Sequence, residues 1–495
     1  MHKVHYYKGL ILKCLFLLAM TVGAMHYTEG AGFAIIIPLA FISLTRDKPE
    51  EFYFYLMLFC IVVVTNPRIA KRGVVFFLEQ RVVLMSLGFI FMLRLFGQNK
   101  NPLVVPFAGL IWYLVYMAVS SLFGWNVVVS YLKLALFLFV FLAYFYAANM
   151  AAQHPRENLP AVRSVILSIA IFFIIGSVAV IPFPSIGLMN AEMLSESSSG
   201  DFTSLFMGMA AHSQCLGPII SALAVLIFAD LIFGIREWNW IYIILLVCCP
   251  ILIWKTSSRT AMGTFISGLL FSSYLFMKTR WVGNHWKKKV MSVLWIGGIF
   301  FVIAILFSGL MRERAVEFLQ KGKSEGGKSA NVSIETIISS RKMLYDNAIK
   351  NFEKSPILGN GFQVSEEMET LKVRSFTSIL SAPIEKGVWV SAILEEGGLI
   401  GFAIFCAVVW NILSKMIKYR GFITASVFLV FIVSNLGEFT IFSMSYVGGF
   451  MWALVFAAVA LDATRSRADF YAEQALLQKQ IEEEQMLNNI ELVQF

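Results

Sequence analysis

Apolar runs of about twenty residues, separated by short polar breaks, follow one another along almost the whole chain. About twenty residues of α-helix cross a bilayer core of about 30 Å, and a helix satisfies its own backbone where no water can. The runs predict membrane spans at approximately 9–25, 30–45, 51–66, 77–95, 104–123, 128–149, 163–183, 212–234, 238–254, 259–277, 290–310, 387–414, 421–436 and 446–462, or about twelve to fourteen helices. They are continuous rather than alternating, which excludes a transmembrane β-barrel. With Lys3, Lys8 and Lys13 at its start, the first run imitates a signal peptide. No small-x-small site closes it and further spans follow at once, so it reads as a retained span.

The pattern breaks once on a large scale, over roughly seventy-five polar and charged residues at 311–385. The chain divides accordingly into helices with short loops over 1–310, a large extracytoplasmic loop over 311–386, further helices over 387–462 and a polar helical tail over 463–495. Inside the loop, Ile334, Ile337, Ile338, Leu344, Ala348 and Phe352 recur at near-helical spacing. They predict an amphipathic helix over 333–354, stopped by Pro356.

Composition agrees with this reading. Hydrophobic residues make up 58%, charged residues 14%, and the mean hydropathy is +0.74, which excludes a soluble globular protein. The fold class is an all-α polytopic membrane protein. Its six cysteines all fall in apolar runs, with neither a disulfide frame nor a zinc spacing. The net charge of +9 reflects topology rather than nucleic-acid binding.

Short loops rich in Lys and Arg stay in the cytoplasm. The stretch 278–289, with Arg156, Arg163, Arg236, Lys415, Lys418 and Arg420, fixes the orientation. Counting from these places both termini in the cytoplasm and puts the 311–385 loop and Thr256 to Thr260 outside. One loop departs from the rule, because Arg68, Lys71 and Arg72 would face outward. Either the third and fourth spans are miscounted, or these cations are held out for an anionic ligand. The stretch 184–211 has no Lys or Arg and reads as a flexible outer loop.

Candidate chemistry concentrates on that outer side. Arg259 lies at a span end among Thr256, Ser257, Ser258 and Thr260; it is either a snorkelling anchor or an anion ligand. Arg341, on the amphipathic helix, poses the same choice. A guanidinium keeps its charge at any relevant pH and its planar fork suits phosphate oxygens. Acid–base candidates are His212, Glu385 and Glu396, and Glu438 is costly enough between two apolar runs to suggest an arginine partner. No Walker loop, GxGxxG, HExxH or DxD-type pair occurs, which points away from a nucleotide, a metal or another cofactor.

Ser340-Arg341 followed by Pro356-Ile-Leu-Gly-Asn-Gly361 resembles a signature of the O-antigen ligase and polymerase superfamily. Ser257-Ser-Arg-Thr260 is similar to that family's earlier S-R-[ST] element, Glu396-Gly-Gly-Leu-Ile-Gly401 to its E-x-G-[LI]-x-G, and 208–217 to a weaker G…H…L-G stretch. The resemblance covers roughly residues 200–440. It implies metal-independent, cofactor-free transfer of a glycan from a polyprenyl-pyrophosphate lipid, by a GT-C-like helical bundle at the outer face of a bacterial inner membrane. Arg259 and Arg341 would hold the departing pyrophosphate. Arg68, Lys71 and Arg72 would hold a second lipid's pyrophosphate, and Trp389 would stack on sugars.

The implied partners are polyprenyl-pyrophosphate-linked glycans and membrane lipids, with a chain-length regulator and a flippase alongside. Nucleic acid is not among them. The family's ligases carry a histidine ahead of the E-x-G glutamate where this chain has Gly387, so the resemblance points to a polysaccharide polymerase over an O-antigen ligase. A flippase or transporter is the alternative of another class; it would more often show internal repeats, and none is evident.

Overall fold

The computed structural model describes residues 2–27, 64–70, 107–153, 155–188, 205–233, 240–278, 342–364, 388–437, 439–443 and 447–463. Regular structure among them is helical, with no strand beyond two isolated bridges. The longer helices begin with α1 (His2–Tyr27), α2 (Ala108–Ser121), α3 (Val127–Gln153), α4 (Pro155–Ala170) and α5 (Gly176–Val180), the last two joined by a π-helical turn at Ile171–Ile175 and followed by a single helical turn at Pro184–Gly187. There follow α6 (Ser213–Phe233), α7 (Trp240–Lys255), α8 (Arg259–Lys278), α9 (Lys342–Lys354), α10 (Trp389–Lys418), α11 (Phe422–Ser434) and α12 (Val447–Ala463).

Four stretches are long and apolar enough to cross a membrane: Pro160–Val180, Ser213–Phe233, Arg259–Lys278 and Trp389–Lys418. The predicted spans at 30–45, 77–95 and 290–310, and almost all of 51–66, lie outside the described residues. Each of the others meets a helix.

Helix α6 is the centre of the bundle, buried on nearly every side. It packs against α7, α8 and α11. Small residues let these backbones approach: a Cβ on Gly217 would lie 2.7 Å from that of Ala261, and one on Gly268 would lie 2.5 Å from side chains of Val225 and Val430. By contrast, α7 buries Leu245, Cys249, Leu252 and Ile253 but exposes Trp240, Ile244, Val247, Ile251 and Trp254. An exposed apolar stripe of that length suits lipid rather than water.

Connectivity gives the bundle two ends. At one lie the starts of α6, α8 and α10 and the finish of α1, α7 and α11. The other carries Lys278, Lys415, Lys418 and Arg420 at helix termini. Near that basic end Arg163 makes a bidentate pair with Asp230, at 2.6 and 2.9 Å, and Tyr242 donates to the same carboxylate. Asp230 is 5% exposed and Arg163 25%. Asp230→Ala would remove both charge-assisted bonds from a largely buried guanidinium, so an expected loss of about 2–3 kcal/mol, read as a lower thermal midpoint in detergent, tests the pair. The double change Arg163→Met with Asp230→Leu is expected to recover most of it.

The predicted span 387–414 differs from a plain helix. Helix α10 is broken at Gly398, where φ is 63° and ψ is −166°. Its first limb folds back, so that Trp389 stacks on Phe402 with centroids 6.0 Å apart. In an unbroken helix those two residues would stand about 20 Å apart.

A break in an apolar helix strands N–H and carbonyl groups that lipid cannot satisfy. Residues 355–361 satisfy them here. The N–H groups of Asn360 and Gly361 donate to the carbonyls of Glu395 and Glu396 at 2.9 and 3.0 Å, and the N–H of Leu399 donates to Pro356 at 2.9 Å. Tyr116 of α2 donates to the Gly397 carbonyl at 2.7 Å, and Ser120 to that of Leu358 at 2.6 Å. From α9, the Asn351 amide donates to the Glu395 carboxylate at 3.1 Å. The Pro356–Gly361 and Glu395–Gly401 motifs are therefore two halves of one backbone clasp.

The stretch 184–211, expected to be a flexible loop, is pinned at both described ends. Leu188 bridges Phe206 and Thr65 bridges Ala210. The buried Asn66 amide donates to the Ile186 and Gly208 carbonyls at 2.9 and 2.7 Å. Paired backbone holds 184–188 and 205–211, and the rest of the stretch, 189–204, lies outside the described residues.

Candidate functional site

The Thr-Ser-Ser-Arg-Thr run folds as a tight reversal between α7 and α8. Thr256, 2% exposed, donates its hydroxyl to the Ile253 carbonyl at 2.7 Å and closes α7. Ser257 takes a left-handed conformation, with φ of 52°, which costs a non-glycine residue about 1 kcal/mol. Ser258 then caps α8, its hydroxyl accepting the Ala261 N–H at 3.3 Å. Arg259 is consequently the first helical residue, half-buried. A cation at a helix N-terminus opposes the helix dipole, where an anion would be favoured.

Helix α6 starts beside it. His212 occupies the capping position: its Nδ1 accepts the Gln214 N–H at 3.0 Å and its carbonyl accepts those of Cys215 and Leu216. Engaged in this way, Nδ1 has no lone pair for a substrate proton, so His212 serves here as a helix cap. Because Gly217 lets α6 and α8 touch, and Ser221 donates to the Ala261 carbonyl at 2.8 Å, the two parallel helices present their N-termini side by side.

Between these termini lies a cavity of about 70 Å³. Ser213 and Gln214 of α6 line it together with Thr256 to Thr260, and Ser434 and Gly437 form the wall beyond the end of α11. Backbone and hydroxyl meet closely there, for a Cβ on Gly437 would fall 2.3 Å from the Thr260 Oγ1. Among the described residues, the lining holds one cation, several hydroxyls and no carboxylate. Such a site suits an oxyanion.

The remaining sequence candidates distribute as follows. Arg68 lies at the same end of the bundle as Arg259, its Nη1 donating to the Ser185 carbonyl, with Asn66 tying the segment to 205–211. Glu396 is fully buried beneath the clasp and does not line the cavity. Trp389 has one ring face covered by Phe402. Lys71, Arg72, Arg341, Glu385 and Glu438 lie outside the described residues, although Glu438 directly follows the cavity residue Gly437.

Sequence reasoning missed Ser213 and Ser434, which are ordinary serines in apolar runs. The only signal was that Ser213 falls inside the 208–217 stretch, directly after His212.

Neither models of known protein families nor curated proteins give a match to this chain, so the family resemblance stands on its motifs.

Proposed function

We propose that the protein is a membrane glycosyltransferase of the polysaccharide-polymerase kind, moving a growing glycan from a polyprenyl-pyrophosphate carrier onto a lipid-linked repeat unit. The observation that carries the reading is the Arg259 cavity, a cation set among hydroxyls at two helix N-termini. Departure of a lipid pyrophosphate develops charge on phosphoryl oxygens, and fixed donors that meet it lower the barrier. Twelve to fourteen spans, a large outer loop carrying Arg341 and cytoplasmic termini complete the proposed architecture in a bacterial inner membrane. Arg68, at the same end, would stand near a second lipid headgroup.

The test is the surface-glycan ladder of a deletion strain complemented with wild type or variants at equal membrane levels. Wild type is expected to restore a long ladder, and Arg259→Ala or Arg341→Ala to leave a single repeat unit on lipid A. Bare core with polymer accumulating on polyprenyl lipid in the deletion would make the protein a ligase instead. Full ladders from both variants would refute the assignment of the arginines.

A further inference from the structure

We propose that Ser213 is a second ligand-binding residue of the Arg259 cavity, donating its hydroxyl to an oxygen of a single phosphoryl group. This rests on the reading above, that the cavity takes the pyrophosphate of a lipid-linked glycan. The serine is 1% exposed, lines the cavity, and has no hydrogen-bond partner for its Oγ among the described residues. A buried hydroxyl left in that state is unfavourable in a folded chain.

Its position explains the vacancy. Serines deeper in these helices bond back to the carbonyl one turn earlier, as Ser272 does to Gly268 at 2.7 Å, Ser273 to Leu269 at 2.7 Å and Ser426 to Phe422 at 2.8 Å. Ser213 is the first residue of α6, where no helical carbonyl lies behind it. Its hydroxyl is therefore left for whatever enters the cavity.

Three further features specify the occupant. Helices α6 and α8, of 21 and 20 residues, both direct their positive dipole ends at the site. Arg259 adds a full charge, and among the described lining residues none subtracts one. The cavity of about 70 Å³ has room for more than one water-sized group, and so for the oxygens of one phosphoryl group. The glycan and the prenyl chain would then extend from the mouth.

The experiment is equilibrium binding of polyprenyl pyrophosphate to the full chain in nanodiscs, with polyprenol as the phosphate-free control and inorganic pyrophosphate as competitor. Ser213→Ala is expected to weaken polyprenyl-pyrophosphate binding about tenfold, in keeping with loss of a hydrogen bond to a charged group. It is expected to leave polyprenol binding unchanged and the thermal midpoint unchanged or higher, because no hydrogen bond is removed from the protein. A lower midpoint, or wild-type affinity while Arg259→Ala fails to bind, would overturn the role of Ser213 and leave the Arg259 reading standing. Wild-type affinity in both variants would overturn both. Competition by inorganic pyrophosphate at the same concentration would keep Ser213 as a phosphoryl ligand but overturn the lipid as its source.

Discussion

Arg259→Ala is expected to slow polymer formation about 10²- to 10³-fold, below detection on a gel, while leaving the protein folded. The reasoning lies in the placement of the residue. Arg259 heads α8 beside the start of α6, where its charge opposes two helix dipoles, and removing a cation from such a site relieves about 0.3–1 kcal/mol. Unfolding should stay cooperative as activity falls, whereas loss of a lipid anchor would leave activity intact. Arg259→Lys keeps the charge but not the planar fork, and is expected to retain only a small fraction of the rate. Steady-state kinetics with thermal unfolding of the same preparations checks both expectations.

Gly398→Ala and Gly359→Ala should be the most damaging substitutions for folding, each costing on the order of 3–5 kcal/mol. Both glycines sit at positive φ, +63° and +80°. A Cβ at either would lie 2.3 Å from a backbone oxygen, that of Ile357 or of Glu396. Neither atom is the end of a flexible side chain, so the clasp itself must open. The hydrogen bonds it makes are worth about 1 kcal/mol each when formed and more when their groups are left stranded in an apolar setting. Since native stability totals only about 5–15 kcal/mol, little folded protein should remain. Gly263→Ala is the control, with nothing within 4 Å of its Cβ and a gain of about 1 kcal/mol in helix propensity expected. Yield of monodisperse protein after detergent extraction reads out all three.

The helices were legible in the sequence because a membrane span is a property of one continuous run. The apolar stretches of α1, α6 and α8 needed no partner to be recognised. The turn before Arg259 was legible for a similar reason, as Thr256, Ser257 and Ser258 act on their own neighbours. What stayed hidden depends on distant chain. Gly397 and Gly398 inside an apolar run read as small packing residues until Pro356 to Gly361, some forty positions earlier, supply the backbone groups that make a break tolerable. Glu396 looked available for chemistry because its neighbours in sequence say nothing of the clasp that covers it. Ser213 became a candidate only when α8 was seen beside it, and Trp389 lost a free face to Phe402 through the same fold-back of α10.

The most direct measurement gives the purified chain, in nanodiscs, one defined polyprenyl-pyrophosphate-linked repeat unit as sole substrate and follows product length by gel. The account expects products of two and more units, with one polyprenyl pyrophosphate released per linkage formed, and none from Arg259→Ala. A substrate that stays a single unit while crossing the bilayer, or lengthening that proceeds unchanged in Arg259→Ala, would contradict it.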